Sequence, residues 1–407
     1  MELLEYRKEM KDGKVRLVGT CRSQVHDRVF DLCYEYPEEY EAYVKESPDP
    51  FVPPLLVASL IYDEKLKVPF PISKNLFDNL EMVQDIFCNW FPVEARKIFV
   101  DALWIKEPEL SHSGKGVLAF FSGGVDSFYT LLKSIRNIPT NTPAITHLIY
   151  MRGIEVPISD TVGGDQTIIM VKKVAEEAGL PIIIGATNLR EQFNLWWADY
   201  LCGPGLASVG LSLGKQFSHV LIPGAYSYSH EDMFPESSHP LLDNLWSTEY
   251  TRFSHSGAEA HRIDKFAWLV GRDPLALQYL RVCLENKGGP TNCGKCSKCV
   301  VAMIALQSIG TLKQCATLPH KFDYRLIKSL HLKDYSDITM LKECRDLAIM
   351  ENNDPKLTKK LKAYVRKHEI IEGLQLILGE RGYEIIISPW RFLKKVLKIG
   401  DISSLYP

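Results

Sequence analysis

Apolar residues along the chain follow two spacings, and the spacing changes with position. Between Gly116 and Ala225 four short runs, GVLAFF, ITHLIYM, LPIIIGA and SHVLIPGA, are apolar almost throughout and rich in β-branched residues. Such runs suit strands buried on both faces. The segments between them, SFYTLLKSIRN, DQTIIMVKKVAEEAG and GLASVGLSLGKQF, read as helices. Strand–helix alternation predicts an α/β fold, a doubly wound and mainly parallel sheet whose ligands sit at the carboxyl ends of the strands.

The flanks read differently. Before the alternation, KVRLVGT predicts a strand and PLLVASLIYDEKLKV a helix followed by a strand. SKNLFDNLEMVQDIFCNWF predicts an amphipathic helix, with Leu76, Leu80, Val83, Ile86 and Phe87 on one side and Ser73 as its cap. After it, DPKLTKKLKAYVRKHEIIEGLQLIL and RFLKKVLKIG are helical. We therefore expect an α+β N-terminal domain over residues 1–112, the parallel domain over 113–310 and a helical region over 311–407.

A net charge of −2 over 407 residues gives no general attraction to nucleic acid. Lys356–Glu369 is a local basic stretch, read here as a solvated helix side. No apolar run is long enough for a membrane span, and the charged start MELLEYRKEMKDGK lacks a signal core. A cytoplasmic protein is expected, so its ten cysteines point to metal or redox chemistry rather than a disulfide frame.

The first candidate site follows GVLAFF. There Ser122-Gly123-Gly124-Val125-Asp126-Ser127 turns from a strand into a helix. Two glycines permit positive φ and close backbone approach, and amides at a helix start attract an anion. Ser122 and Ser127 add hydroxyls. Asp126 repels a phosphate unless a magnesium ion bridges them. Neither the Gly-x-x-x-x-Gly-Lys nor the Gly-x-Gly-x-x-Gly spacing is present.

The second is VCLENKGGPTNCGKCSKC, with Cys283, Cys293, Cys296 and Cys299. Four thiols this close suit a closed, structural zinc site. The ferredoxin run needs a further cysteine before proline, and VVAM follows Cys299 instead. Gly288, Gly289 and Gly294 would let the chain wrap an ion, and Lys295 and Lys298 would offset its thiolate charge.

SGGVDS resembles the pyrophosphate loop of the PP-loop ATP pyrophosphatases, of adenine nucleotide alpha-hydrolase-like fold. With the cysteine cluster about 160 residues downstream, the chain resembles their 7-cyano-7-deazaguanine synthase (QueC-like) branch, over roughly half its length. The resemblance implies ATP, Mg2+ and Zn2+ as cofactors. It also implies a ligase that adenylates the carboxylate of 7-carboxy-7-deazaguanine and releases pyrophosphate. Ammonia then gives an amide, and a second ATP drives dehydration to the nitrile, as in queuosine biosynthesis. Ser122, Gly123, Gly124, Val125, Asp126 and Ser127 match the loop, and the four cysteines match the zinc ligands. Lys265 matches a lysine the family places before its cysteines, where it would assist catalysis with Asp126 and Ser127. Relatives occur in anti-phage defence operons, so a second reading joins the activated base to a partner protein or nucleic acid. The flanking regions would then contact the partner. A third reading is tRNA thiolation, which would want a basic surface and a reactive cysteine pair; Cys202, beside the expected cleft, is read first as a buried structural cysteine and only second as a persulfide carrier.

Arg152 and Arg190 follow the second and third strands and are candidate ATP contacts. Gly203 and Gly205 suggest a second anion-binding turn. In the loop Ala225–Tyr250, Tyr226, His239, Trp246 and Glu249 are candidate substrate residues, with Tyr228, His230 and Asp243 beside them.

Overall fold

The computed structural model describes residues 1–105, 114–229, 233–283, 285, 292–330 and 335–370. The chain forms two compact units, which meet in sequence between His261 and Arg262.

The first unit is built on one ten-stranded sheet. Its first three strands, β1 (Glu2–Lys11), β2 (Lys14–Ser23) and β3 (Arg28–Pro37), form an antiparallel meander. Asp12-Gly13, both at positive φ, makes the tight β1–β2 turn that matches strand twist. In β3 burial alternates, with Phe30, Leu32, Tyr34 and Tyr36 inside. β4 (Leu66–Ile72) and β5 (Val100–Trp104) extend the far edge beside β1 in parallel. Between them α2 (Lys74–Trp90) buries Leu76, Leu80, Val83 and Phe87, and the Ser73 side chain accepts the Leu76 amide, as the pattern predicts.

The strands of the alternating segment are β6 (Gly116–Phe120), β7 (His147–Arg152), β8 (Ile182–Thr187), β9 (Phe217–Pro223) and β10 (Arg252–Ser256). Every residue of β6 is buried. The sheet order is β10-β9-β6-β7-β8-β3-β2-β1-β4-β5, and the five strands from β10 to β8 are mutually parallel. Tyr34 and Glu35 of β3 pair antiparallel with Thr187 and Ala186 of β8. The N-terminal strands therefore continue the parallel sheet, and the boundary expected at residue 112 falls within one sheet. From central β6 the chain moves outward through β7 and β8, then returns to β9 and β10 on the other side. The connections leaving β6 and β9 run to opposite sides there, which makes their carboxyl ends the topological switch point, where sheets of this kind bind ligands.

Helices cover both faces. Leu118 and Phe120 share a core with α1 (Val52–Tyr62), α2 and α6 (Cys202–Ser212), whereas Phe128 and Leu131 of α3 (Val125–Ile135) are buried outside that core, with α3 packed on β6 and β9. α4 (Thr161–Ala178) packs on β7 and β8. A short α5 (Leu189–Gln192) follows β8.

The second unit is helical where described. It holds α7 (Arg262–Lys265), α8 (Pro274–Tyr279), α9 (Ser297–Ser308) and α10 (Tyr335–Glu351), then a helix over residues 355–370. α9 is buried nearly all round and packs against α10. In the last helix Leu357, Leu361, Tyr364 and Val365 are buried, the stripe its sequence predicts. RFLKKVLKIG and the end of DPKLTKKLKAYVRKHEIIEGLQLIL lie outside the described residues. Among the described residues no helix is long and apolar enough to cross a membrane.

Candidate functional sites: a glycine turn and a four-cysteine cluster

The strand order puts Ser122–Gly124 directly after β6, at the switch point. Gly123 has φ +80°, a conformation that favours glycine, and Gly124 is the extended N-cap of α3. A glycine cap has no side-chain acceptor, and the start of α3 carries no side-chain cap hydrogen bond. The Ser127 hydroxyl donates to the Gly124 carbonyl at 3.0 Å and accepts the Ser122 amide at 3.4 Å. Ser127 is thus a buried brace of the turn, while Ser122 and Asp126 are half-buried. The arrangement can cradle an anion of phosphate type.

The two arginines are engaged nearby. Arg152 ends β7, donates to the Ile158 carbonyl at 3.3 Å and lies 3.6 Å from Asp165. Its guanidinium rests on Gly164 of α4, where a Cβ would come within 2.9 Å of Nε. Arg190 donates to the Ile154 carbonyl at 2.6 Å and stacks 5.3 Å from Trp197. Both brace the loop after β7. The loop closes on itself at Gly153, whose φ is +85° and whose Cβ would strike the Thr187 carbonyl.

The start of α6 is filled by the protein itself. Ser237 Oγ accepts the amides of Cys202 at 2.9 Å and Gly203 at 3.4 Å. A Cβ on Gly203 would lie 1.9 Å from the Ser237 carbonyl oxygen. The expected second anion turn is therefore a capped helix start. Burial first, then the charges of Glu236, Asp243 and Glu155, pushes the Cys202 thiol well up, which disfavours a reactive thiolate.

The loop between β9 and β10 holds the candidate substrate residues, except that His230 lies outside the described residues. Tyr226 is half-buried with its ring against Phe234. Tyr228 is exposed. His239 and Trp246 are buried, and the His239 ring packs edge-on against Trp90 at 4.8 Å. Burial, with His255 nearby, lowers His239 to about 4, so it is neutral. Glu249 accepts the Asn75 amide at 2.9 Å, at the start of α2. Asp243 holds His255 Nδ1 at 2.7 Å and the Ser238 hydroxyl at 3.1 Å. His239 Nε2, Asp243 Oδ1, Trp246 Nε1, Glu249 Oε2 and His255 Nε2 are all sealed from solvent without a hydrogen-bond partner among the described residues. This loop therefore closes over its polar atoms.

In the second unit, Cys283, Cys293, Cys296 and Cys299 bring their sulfurs within 4.8 Å of one another. Cys283–Cys296 and Cys293–Cys299 are each 3.8 Å apart. Four sulfurs about 2.3 Å from a tetrahedral ion stand about 3.8 Å apart, so the group could hold a metal ion such as zinc. Cys296 caps α9 and Cys299 lies in its first turn. Gly294 takes φ +69° between Cys293 and Cys296, where a Cβ would press on Pro319. Gly288 and Gly289 lie outside the described residues. Lys295 and Lys298 are exposed. Burial opposes ionisation of Cys293, but the amides of Cys296 and Lys295 aimed at its sulfur outweigh it and bring the thiol down to about 7. Burial pushes Cys299 up.

The chain matches no protein family, no curated protein and no solved structure.

Asn292 is a residue that the motif did not single out. It is buried beside Cys293, its Oδ1 accepts the amides of Val282 and Cys283, and its Nδ2 donates to the Leu280 carbonyl and to Thr317. It ties the segment leading to Cys283 to the other three cysteines. The Asp243–His255 pair was also missed, because nothing in sequence links residues on either side of a loop. Lys265 ends α7 in the second unit and is fully buried, not the surface lysine that would be its ordinary role. A buried ammonium requires compensation.

Proposed function

We propose that the protein is an ATP-dependent carbon–nitrogen ligase of PP-loop type that adenylates a carboxylate, that of 7-carboxy-7-deazaguanine, and releases pyrophosphate. The observation that carries this reading is the uncapped glycine turn at the β6/β9 switch point, a phosphate cradle without either common nucleotide-loop spacing. In this reading the amides from Gly123 to Ser127 receive the β and γ phosphates of ATP. The charge that grows as pyrophosphate leaves falls on donors already in place. Ser127 keeps those amides aligned, and the Ser122 hydroxyl supplies a further donor. A magnesium ion held by Asp126 would let that carboxylate sit beside the phosphates. The carboxylate oxygen attacks the α phosphorus, and a nitrogen nucleophile then attacks the acyl carbon and expels AMP. The four cysteines, filled by a zinc ion, would act structurally, since all four positions of such an ion are taken by protein. The raised Cys202 thiol makes thiolation the weaker reading.

Incubation with ATP, magnesium, ammonia and 7-carboxy-7-deazaguanine should give AMP, pyrophosphate and a base amide or nitrile by mass spectrometry. Asp126→Ala should lower AMP release by about 100-fold or more with the fold retained. Undiminished AMP release in that variant would remove the turn from the mechanism.

A further inference from the structure

The helix over residues 355–370 presents two unlike sides. Leu357, Leu361, Tyr364 and Val365 are buried, and the helix is fixed at several points. Asp354 accepts the Leu357 amide at 3.0 Å, the Tyr324 hydroxyl at 2.8 Å and the Gln307 amide group at 2.8 Å. The Tyr364 hydroxyl donates to the Leu330 carbonyl at 2.9 Å. The outward side carries Lys356, Lys359, Lys360, Lys362, Arg366 and Lys367, all exposed. At 3.6 residues per turn they fall within an arc of about 160° and a length of about 16 Å. No acidic residue lies inside that arc. Among the described residues Lys359, Lys360, Lys362 and Arg366 make no ion pair. Six cations on one rigid face, in a chain of net charge −2, are a local field rather than an average property.

We propose that this face binds the phosphate backbone of nucleic acid. The cations fall in two rows: Lys359, Lys362 and Arg366 stand on successive turns about 5–6 Å apart, as do Lys356 and Lys360, and Lys367 lies two turns beyond Lys360, about 10 Å along the axis. A phosphate backbone offers charges at a comparable close and regular spacing, one per about 3.4 Å of axis on each strand. The helix itself has no aromatic residue within that arc, and the half-buried Tyr324 ring beside it is covered by Lys356 at 4.5 Å, so bases have no open platform for stacking there and the contact is blind to sequence. The apolar side is already buried in the second unit, so insertion into a lipid surface would have no apolar face to use. The inference is independent of the reaction proposed at the glycine turn.

The test uses the full chain, a short labelled DNA duplex and a structured RNA, followed by fluorescence anisotropy between 50 and 200 mM salt. Binding in the micromolar range is expected, weakening steeply with salt. The triple variant K359E/K362E/R366E, changed only at exposed positions and checked by circular dichroism, should reduce the log–log salt slope by roughly 2–3 and the affinity by about 100-fold or more. Absence of salt-dependent binding by the parent chain, or an unchanged slope in the variant, would overturn the proposal. So would tighter binding to polyglutamate, which points to an acidic protein, or binding confined to anionic vesicles.

Discussion

The glycine turn and the cysteine cluster are both short motifs, yet they are built from opposite materials. The turn is made of backbone amides, which every residue carries, and its meaning comes from standing at the end of β6 where the sheet order reverses. The cluster is made of side-chain sulfurs whose separations already fit an ion. One site depends on the long-range pairing of strands, the other on four cysteines within 17 residues of sequence. Side-chain ligands announce themselves in sequence, whereas backbone ligands are recognised only through the conformation that exposes them.

The comparison can be tested where its two halves should respond differently. The largest effect is expected from Cys293→Ser or from chelation. Metal content measured by mass spectrometry should fall from about one ion per chain to near none, and the second unit should lose its cooperative melt. Iron and sulfide in place of zinc would replace the structural reading. Acid should separate the sites next. Ligand thiols must be deprotonated to bind, so metal affinity falls as pH falls, while the amides of the turn do not titrate. A metal-release titration that stays flat from neutral pH down to about pH 5 would contradict thiolate ligation. A smaller loss is expected from Asn292→Ala. It strands the amides of Val282 and Cys283 in a buried setting, costing about 1–3 kcal/mol in denaturant melts and weakening metal binding about 10–100-fold. Smallest in stability is Gly123→Ala, where a side chain at φ +80° costs about 1–2 kcal/mol. Its loss of AMP release should exceed what that stability cost predicts. Equal losses would mean that the turn matters only for folding.

Much of the fold was legible because it rests on local pattern. The four apolar runs became β6 to β9, Ser73 caps α2, and the DPKLTKK stretch buries one side. The cysteine spacing brought its sulfurs together. The candidate residues away from those motifs fared differently. Arg152 and Arg190 hold the loop after β7, Glu249 meets the start of α2, and His239 and Trp246 are buried. A polar residue in a promising loop does not disclose whether its partner will be a ligand or another part of the chain, because that partner comes from a distant segment. The same reason hid Asn292, whose four contacts lie in residues 280–283 and at Thr317.

By itself the sequence determined the strands and helices, the metal-type donor set and the strand-to-helix turn, since each is written in residues a few positions apart and governed by local spacing and φ. Tertiary structure alone decided three other things. It joined β3 to β8 and so merged the N-terminal strands with the parallel sheet. It set the turn at the switch point, and it turned the basic stretch near the end into one exposed face by burying the other. These depend on which distant segments pair, and pairing follows from the burial of whole surfaces, which no short stretch encodes.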